Sequence, residues 1–239
     1  MNAAGPFCRR VFFPQGQWNQ VPARAVQAQL RLIFTRWGRP QRLRVDNGTP
    51  WGSSGDWPPD LALWLMGLDI SLIWNPPRQP QKNGVIERSQ GTGKRWTEPS
   101  TCTSARQLQR RLDEMDLIQR ERYPSVEGQS RWQAFPQLAQ GGRPYDEAWE
   151  HENWDETLVW THLAEYRAVR RVDQKGQVSL YNRNHYVGKL YRGQEIYVAL
   201  DPQDRDWVFS TVQGVQVRRK KAEELGAQRI TKLEVTHRR

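Results

Sequence analysis

At 239 residues the chain has room for one large domain or two modest ones, and 36 Lys and Arg against 26 Asp and Glu give a net charge of +10. That balance excludes an acidic solvating tail and favours a densely negative partner, while 12 Trp supply enough buriable surface to argue against disorder. No apolar run approaches the ~18 residues of a membrane span, no signal-peptide pattern opens the sequence, and two distant cysteines, Cys8 and Cys102, offer neither a disulfide framework nor a zinc cluster; the expectation is a cytoplasmic protein with no membrane partner.

Phe7 to Phe13 reads as a strand entering a turn at Pro14-Gln15-Gly16. From Val21 to Trp37 the residues Val26, Leu30, Ile33, Phe34 and Trp37 recur at helical spacing, with Arg24, Arg31 and Arg36 on the polar side and Gly38 as the stop. Arg42-Leu43-Arg44-Val45 alternates like a strand and ends at Asp46; residues 47–59 are a loop rich in Gly, Ser, Pro and Trp. Asp60 is a candidate cap for a short apolar helix to Gly67, and Ile70–Trp74 reads as another strand. The alternation of strands and helices predicts an α/β core.

Three prolines keep residues 75–82 out of helix and central strand, and Asn83 is placed to cap a helix running to about Trp96. A further helix starts at Ser104, with Gln107 as capping-box partner and a stripe of Leu108, Leu112, Met115 and Ile118, and Pro124 bounds it. Residues 125–164 are poorly periodic. From about Arg167 the period becomes two, and short runs separated by Gly, Asn and Asp-Pro turns predict a small antiparallel β-barrel. The expected organisation is a core over 1–123, a helical or irregular linker over 124–164 and a basic barrel over 165–239.

Charge is unevenly spread. Residues 1–45 carry eight Arg and no other charged side chain, and residues 165–239 carry sixteen basic against nine acidic ones. Between them, 99–164 is acidic, with seven against eleven. Two basic ends suggest two surfaces that meet a polyanion.

Two acids stand out by context. Asp46 closes a strand in RVDNGTPW, and strand C-termini are where α/β sheets project functional groups. Glu87 lies in the first turn of the helix after Asn83. Carboxylates of this kind hold two Mg²⁺ about 3.5–4 Å apart in phosphodiester chemistry. Taken singly, however, Asp46-Asn47-Gly48 reads as a turn and Glu87 as a helix-start acid favoured by the dipole, and spacing does not show that the two meet.

The longer strings RVDNGTPW and WNPPRQPQKNGVIERSQGTGKRW resemble the catalytic core of DDE transposases of insertion sequences and of retroviral-type integrases. The matching positions are the Asp46-Asn47-Gly48 strand end, the loop residues Pro80, Gln81, Asn83 and Gly84, and then Glu87 and Arg88, with Glu87 lying 41 positions after Asp46. The resemblance spans about residues 7–123. It implies an RNase H-like fold, Mg²⁺ or Mn²⁺ as cofactor, and cutting and joining of DNA, with transposon ends and target as partners and a homo-oligomer assembled on them. It also implies that Asp46 and Glu87 are the second and third metal ligands.

The same resemblance places a first Asp on an earlier strand, yet no acidic residue precedes Asp46. The expectation is that Met1 falls inside the fold, after the first strand or two, and that the usual N-terminal DNA-binding helices are also missing. A core so shortened should be inactive alone and marginally stable, with unpaired strand edges. A non-catalytic DNA-binding regulator, partnering a complete transposase, is the alternative. Expected DNA contacts are Arg88, Lys94 and Arg95 near Glu87, and Arg170, Arg171, Arg218, Arg219, Lys220 and Lys221 in the C-terminal module. Trp51 and Trp57 are candidates for base stacking or, alternatively, for packing beneath their loop.

Overall fold

The computed structural model describes residues 21–52, 57–76, 84–137 and 142–235, without the side chains of Val85, Ile86, Glu87 and Ser89. The expected strand over 7–13, its turn, and the loop positions Pro80, Gln81 and Asn83 lie outside the described residues. What is described is a mixed α/β chain in two compact units, neither continuous in sequence. One takes the chain up to Pro40 with Trp74–Glu147; the other takes Gln41–Ile73 with Ala148–Arg239.

In the first unit, α1 (Ala23–Trp37) follows Pro22, whose fixed φ of −63° leads the chain into the helix. Phe34, 2% exposed, meets Tyr145 edge-to-face at 5.5 Å. Gly38 ends the helix at φ +76°, and a Cβ there would stand 2.5 Å from the Gly142 backbone, so both the backbone angle and the close approach require glycine. The Gly142 N–H donates to the Trp37 carbonyl at 2.6 Å and locks the junction.

α3 (Gly84–Thr97) and α4 (Ala105–Glu121) form a packed pair in the same unit. Ser104 caps α4 by accepting the Gln107 N–H at 3.2 Å. The return bond differs from expectation: Gln107 Oε1 accepts the N–H and hydroxyl of Thr103, one residue further back. Ser104→Ala should cost about 1 kcal/mol, read as a lower denaturant midpoint at unchanged slope.

The buried face of α4 also departs from the expected stripe. Met115 is buried, but with Asp116, Gln119 and Arg120, while Ile118 is 37% exposed. The reason is Arg120, whose guanidinium lies 4.5 Å above the Trp37 ring and 5.0 Å from that of Trp132, beside Glu121 at 3.1 Å. A cation held between two indoles turns the inward sector of α4 away from Ile118. The four-residue helix α5 (Arg131–Ala134) begins with a complete capping box between Ser130 and Gln133.

The second unit is built round α2 (Asp60–Gly67), every residue of which is buried. Asp60 is the first helical residue behind Pro59, not the cap; its Oδ1 accepts the Leu61 N–H at 3.0 Å. β1 (Arg42–Val45) pairs with β2 (Ser71–Trp74), and α6 (Glu147–Asn153) supplies Glu150, which accepts from Trp64 Nε1 at 2.9 Å. α2 packs on α7 (Glu156–Ala164) and α8 (Ala227–Thr231). Asp155 caps α7, taking the Thr157 N–H at 2.7 Å.

The C-terminal strands are β3 (Arg167–Arg171), β4 (Gln177–Leu180), β5 (Arg183–Tyr186), β6 (Glu195–Asp201), β7 (Asp206–Thr211) and β8 (Gln216–Lys221). β6 alternates as its sequence requires, burying Ile196, Val198 and Leu200. The expected barrel is corrected here. β3, β6, β7 and β8 form an open antiparallel sheet in that order, and β4–β5 is a separate hairpin turned at Tyr181-Asn182 with φ of +46° and +59°. The hairpin strands, four residues each, pair with each other, which leaves β3 and β8 as outer strands and the described sheet unclosed. No helix among the described residues is long and apolar enough to cross a membrane.

Candidate nucleic-acid and metal site

β1 carries the chain to Asp46. Val45 is buried while Arg42 and Arg44 face solvent, and the carboxylate that follows is exposed. Its Oδ1 accepts the Gly48 N–H at 3.0 Å, so Asp46-Asn47-Gly48 does make the turn that its residue types favour. Oδ2 has no partner among the described residues. An exposed carboxylate with one oxygen unengaged by the described residues is donor chemistry that suits a hard dication.

Glu87 is the fourth residue of α3, in its first turn, and Gly84 opens the helix with open space around it. The Glu87 side chain lies outside the described residues, and Asp46 and Glu87 belong to different compact units. Among the described residues no three His, Cys, Asp or Glu side chains gather as a metal-holding group. Of the two acids, Asp46 alone has a described side chain.

The cations of α3 are outward. Arg88, Lys94 and Arg95 are all exposed. Thr92 Oγ1 donates to the Arg88 carbonyl at 3.0 Å and accepts from Arg95 Nη2 at 3.5 Å, so Arg88, Thr92 and Arg95 line one flank of the helix. Trp57 is 6% exposed and packs on Trp207 at 5.1 Å and Tyr166 at 5.9 Å, which settles it as a packing residue; Trp51 is half-buried.

In the C-terminal sheet the basic residues differ in what holds them. Arg170 is half-buried, and Arg171 is exposed and donates to the Gly193 carbonyl at 3.2 Å. The Arg218 guanidinium lies 5.7 Å over the Tyr186 ring. Arg219 is enclosed by three carboxylates, Asp201 at 2.6 Å, Asp204 at 2.8 Å and Asp206 at 3.3 Å. Its hydrogen bond holds the Asp201 carboxyl below its ordinary value, and the same bond raises the Arg219 guanidinium. Lys221 sits 3.1 Å from Asp206, whereas exposed Lys220 makes no ion pair among the described residues.

These differences separate the two neighbours as DNA contacts. Lys220→Gln should lower the slope of log affinity against log salt by about 1, the signature of one lost phosphate contact. Arg219→Gln should leave that slope nearly unchanged, because its charge is already answered by aspartates. A salt series on duplex DNA reads both.

One buried charged cluster was invisible in the sequence. Glu224, fully buried, accepts from Trp207 Nε1 at 2.6 Å, and His185 Nε2 stands 3.0 Å from the same Oε1. The imidazole is off the line of a directed hydrogen bond, so this contact is one of proximity. Arg183 lies 3.8 Å from Oε2 and 2.7 Å from Glu223. Burial alone would raise the Glu224 carboxyl; the neighbouring His185, the backbone and Trp207 outweigh it and hold the group below its ordinary value. A tryptophan in an alternating strand is the only sequence hint, since its buried N–H needs an acceptor.

No protein-family model matches the sequence.

Proposed function

We propose that this chain is a transposase- or integrase-like protein with an RNase H-like core, acting in cleavage and strand transfer of mobile-element DNA. The observation that carries the reading is the exposed Asp46 carboxylate at the end of β1, one oxygen tied into the Asp-Asn-Gly turn and the other without a partner among the described residues, in a sequence that also carries the Pro-Gln-x-Asn-Gly…Glu-Arg motif at Glu87. Asp46 and Glu87 are its metal ligands. A bound Mg²⁺ or Mn²⁺ supplies activation of the attacking oxygen and neutralisation of the leaving one. The attacking group is water or a DNA 3′-hydroxyl in line with the leaving oxygen, so no protein nucleophile is needed. Lys94, seven residues beyond Glu87 on the same helical face, steadies the phosphate, and Arg88 and Arg95 flank it. Arg170, Arg171, Arg218 and Lys220 hold register on the DNA without reading sequence. Asp46 and Glu87 are two of the three carboxylates that the resemblance implies.

The exposed cations Arg88, Lys94, Arg95 and Lys220 also fit a second reading that needs no metal, a DNA-binding regulator that occupies transposon ends or joins a complete transposase. Strand-transfer assays with pre-cut DNA ends and Mn²⁺ separate the possibilities. Joined product supports the integrase reading, cleavage without joining supports an RNase H-like nuclease, and binding alone supports the regulator.

A further inference from the structure

α3 carries a second surface that the site above does not use. Trp96, near its C-terminus, is 41% exposed and meets Tyr123, 47% exposed, at 5.4 Å with the rings 80° apart. Large aromatic rings left this open at one spot, both inside the first unit, call for a partner. In an edge-to-face pair one ring presents its edge and keeps its own faces for other contacts.

The surroundings limit what that partner is. Around α3 the position of Trp96 lies half a turn from that of Glu87, and the exposed Arg88–Thr92–Arg95 flank lies between them. Arg122, next to Tyr123, is exposed too. Of the described carboxylates adjoining these two aromatics in sequence, Glu98 is exposed just beyond α3 and Glu121 is paired with Arg120. Cations outnumber the uncommitted acid, so the apolar surface is framed for an anion. A ligand that offers flat π-faces and regularly spaced negative charge is a nucleic acid strand, and only unpaired bases have faces free to stack.

We propose that Trp96 and Tyr123 form a stacking platform for unpaired bases of single-stranded DNA, with Arg88, Arg95 and Arg122 contacting its phosphates. The proposal rests on the nucleic-acid reading above and deepens it by naming a strand state. A strand that passes the Glu87 face of α3 crosses the arginine flank before its bases reach the aromatic pair. The platform thus serves DNA that is unpaired beside the reacting phosphodiester.

The test is fluorescence anisotropy of the full chain with a labelled thymine oligonucleotide and with a duplex of equal length. Stacking contributes about 1–3 kcal/mol per base, so Trp96→Ala and Tyr123→Ala should each weaken single-strand binding about 5- to 150-fold. Duplex binding should change less than about twofold, and Trp96→Phe, which keeps a π-face, should retain most of the affinity. Single-strand affinity of the alanine variants within about twofold of the parent overturns the proposal. So does dissociation of an oligomer by Trp96→Ala in sedimentation, which makes the patch a contact between copies. A parent chain that binds duplex but not single strands defeats this inference and leaves the function above standing; one that binds neither defeats both.

Discussion

Replacing Asp46 with Asn is expected to reduce metal-dependent DNA joining at least about 10- to 100-fold while leaving the fold and DNA affinity intact. Loss of a group that merely orients a metal ligand already has effects of that size, and a direct ligand contributes more. Asn is the informative replacement because its side-chain oxygen can still accept the Gly48 N–H that Asp46 Oδ1 now holds at 3.0 Å. The turn survives and the charge goes. An amide is a weaker ligand than a carboxylate for a hard dication, so the loss should be partly recovered at high Mn²⁺. Glu87→Gln should behave alike. Joining within about twofold of the parent would make Asp46 a turn residue and nothing more.

The largest effect on stability should come from Glu224→Ala. The carboxylate is fully buried, with Trp207 Nε1 and His185 on one oxygen and Arg183 near the other. Removing it leaves an indole N–H without its acceptor and Arg183 with Glu223 as its remaining carboxylate neighbour, beside a cavity. Leaving a buried donor without its acceptor costs about 1–3 kcal/mol, and the lost side-chain volume adds to it. Urea unfolding followed by Trp fluorescence measures it, and a loss under about 1 kcal/mol would show that the cluster contributes little. The pH dependence has a definite sign. An unfolded Glu titrates near about 4.3, and Glu224 is lowered in the fold, so its stabilisation is complete above the unfolded value and is lost as pH falls through the folded one. Glu224→Gln should flatten that acid limb.

Local patterning carried much of the fold. α1 and β1 fall where apolar spacing and the Gly38 stop put them, and β6 alternates residue by residue. What the sequence hid were long-range partners. α2 is buried on every side, so it has no amphipathic face to point at its neighbours, and α7, which covers it, comes about a hundred residues later. Ile118 belongs to the apolar stripe of the sequence but not to the buried face, because nothing local announces that Arg120 will turn inward between Trp37 and Trp132. Strand period is the same in an open sheet and a barrel; closure depends on which edges pair, and β4–β5 pairs with itself. At the candidate site the Asp-Asn-Gly turn was legible, since Asx chemistry is local. The aromatic pair was not: Trp96 and Tyr123 stand 27 positions apart, and neither residue type alone signals exposure.

The central claim is that Asp46 and Glu87 share a divalent ion. Anomalous diffraction at the manganese edge, from crystals of the full chain with a pre-cut DNA end, tests it most directly. The account predicts that Mn²⁺ would be held by an oxygen of each carboxylate beside the terminal phosphate. Manganese held elsewhere, or by one of the two acids with the other turned into a separate environment, would contradict it.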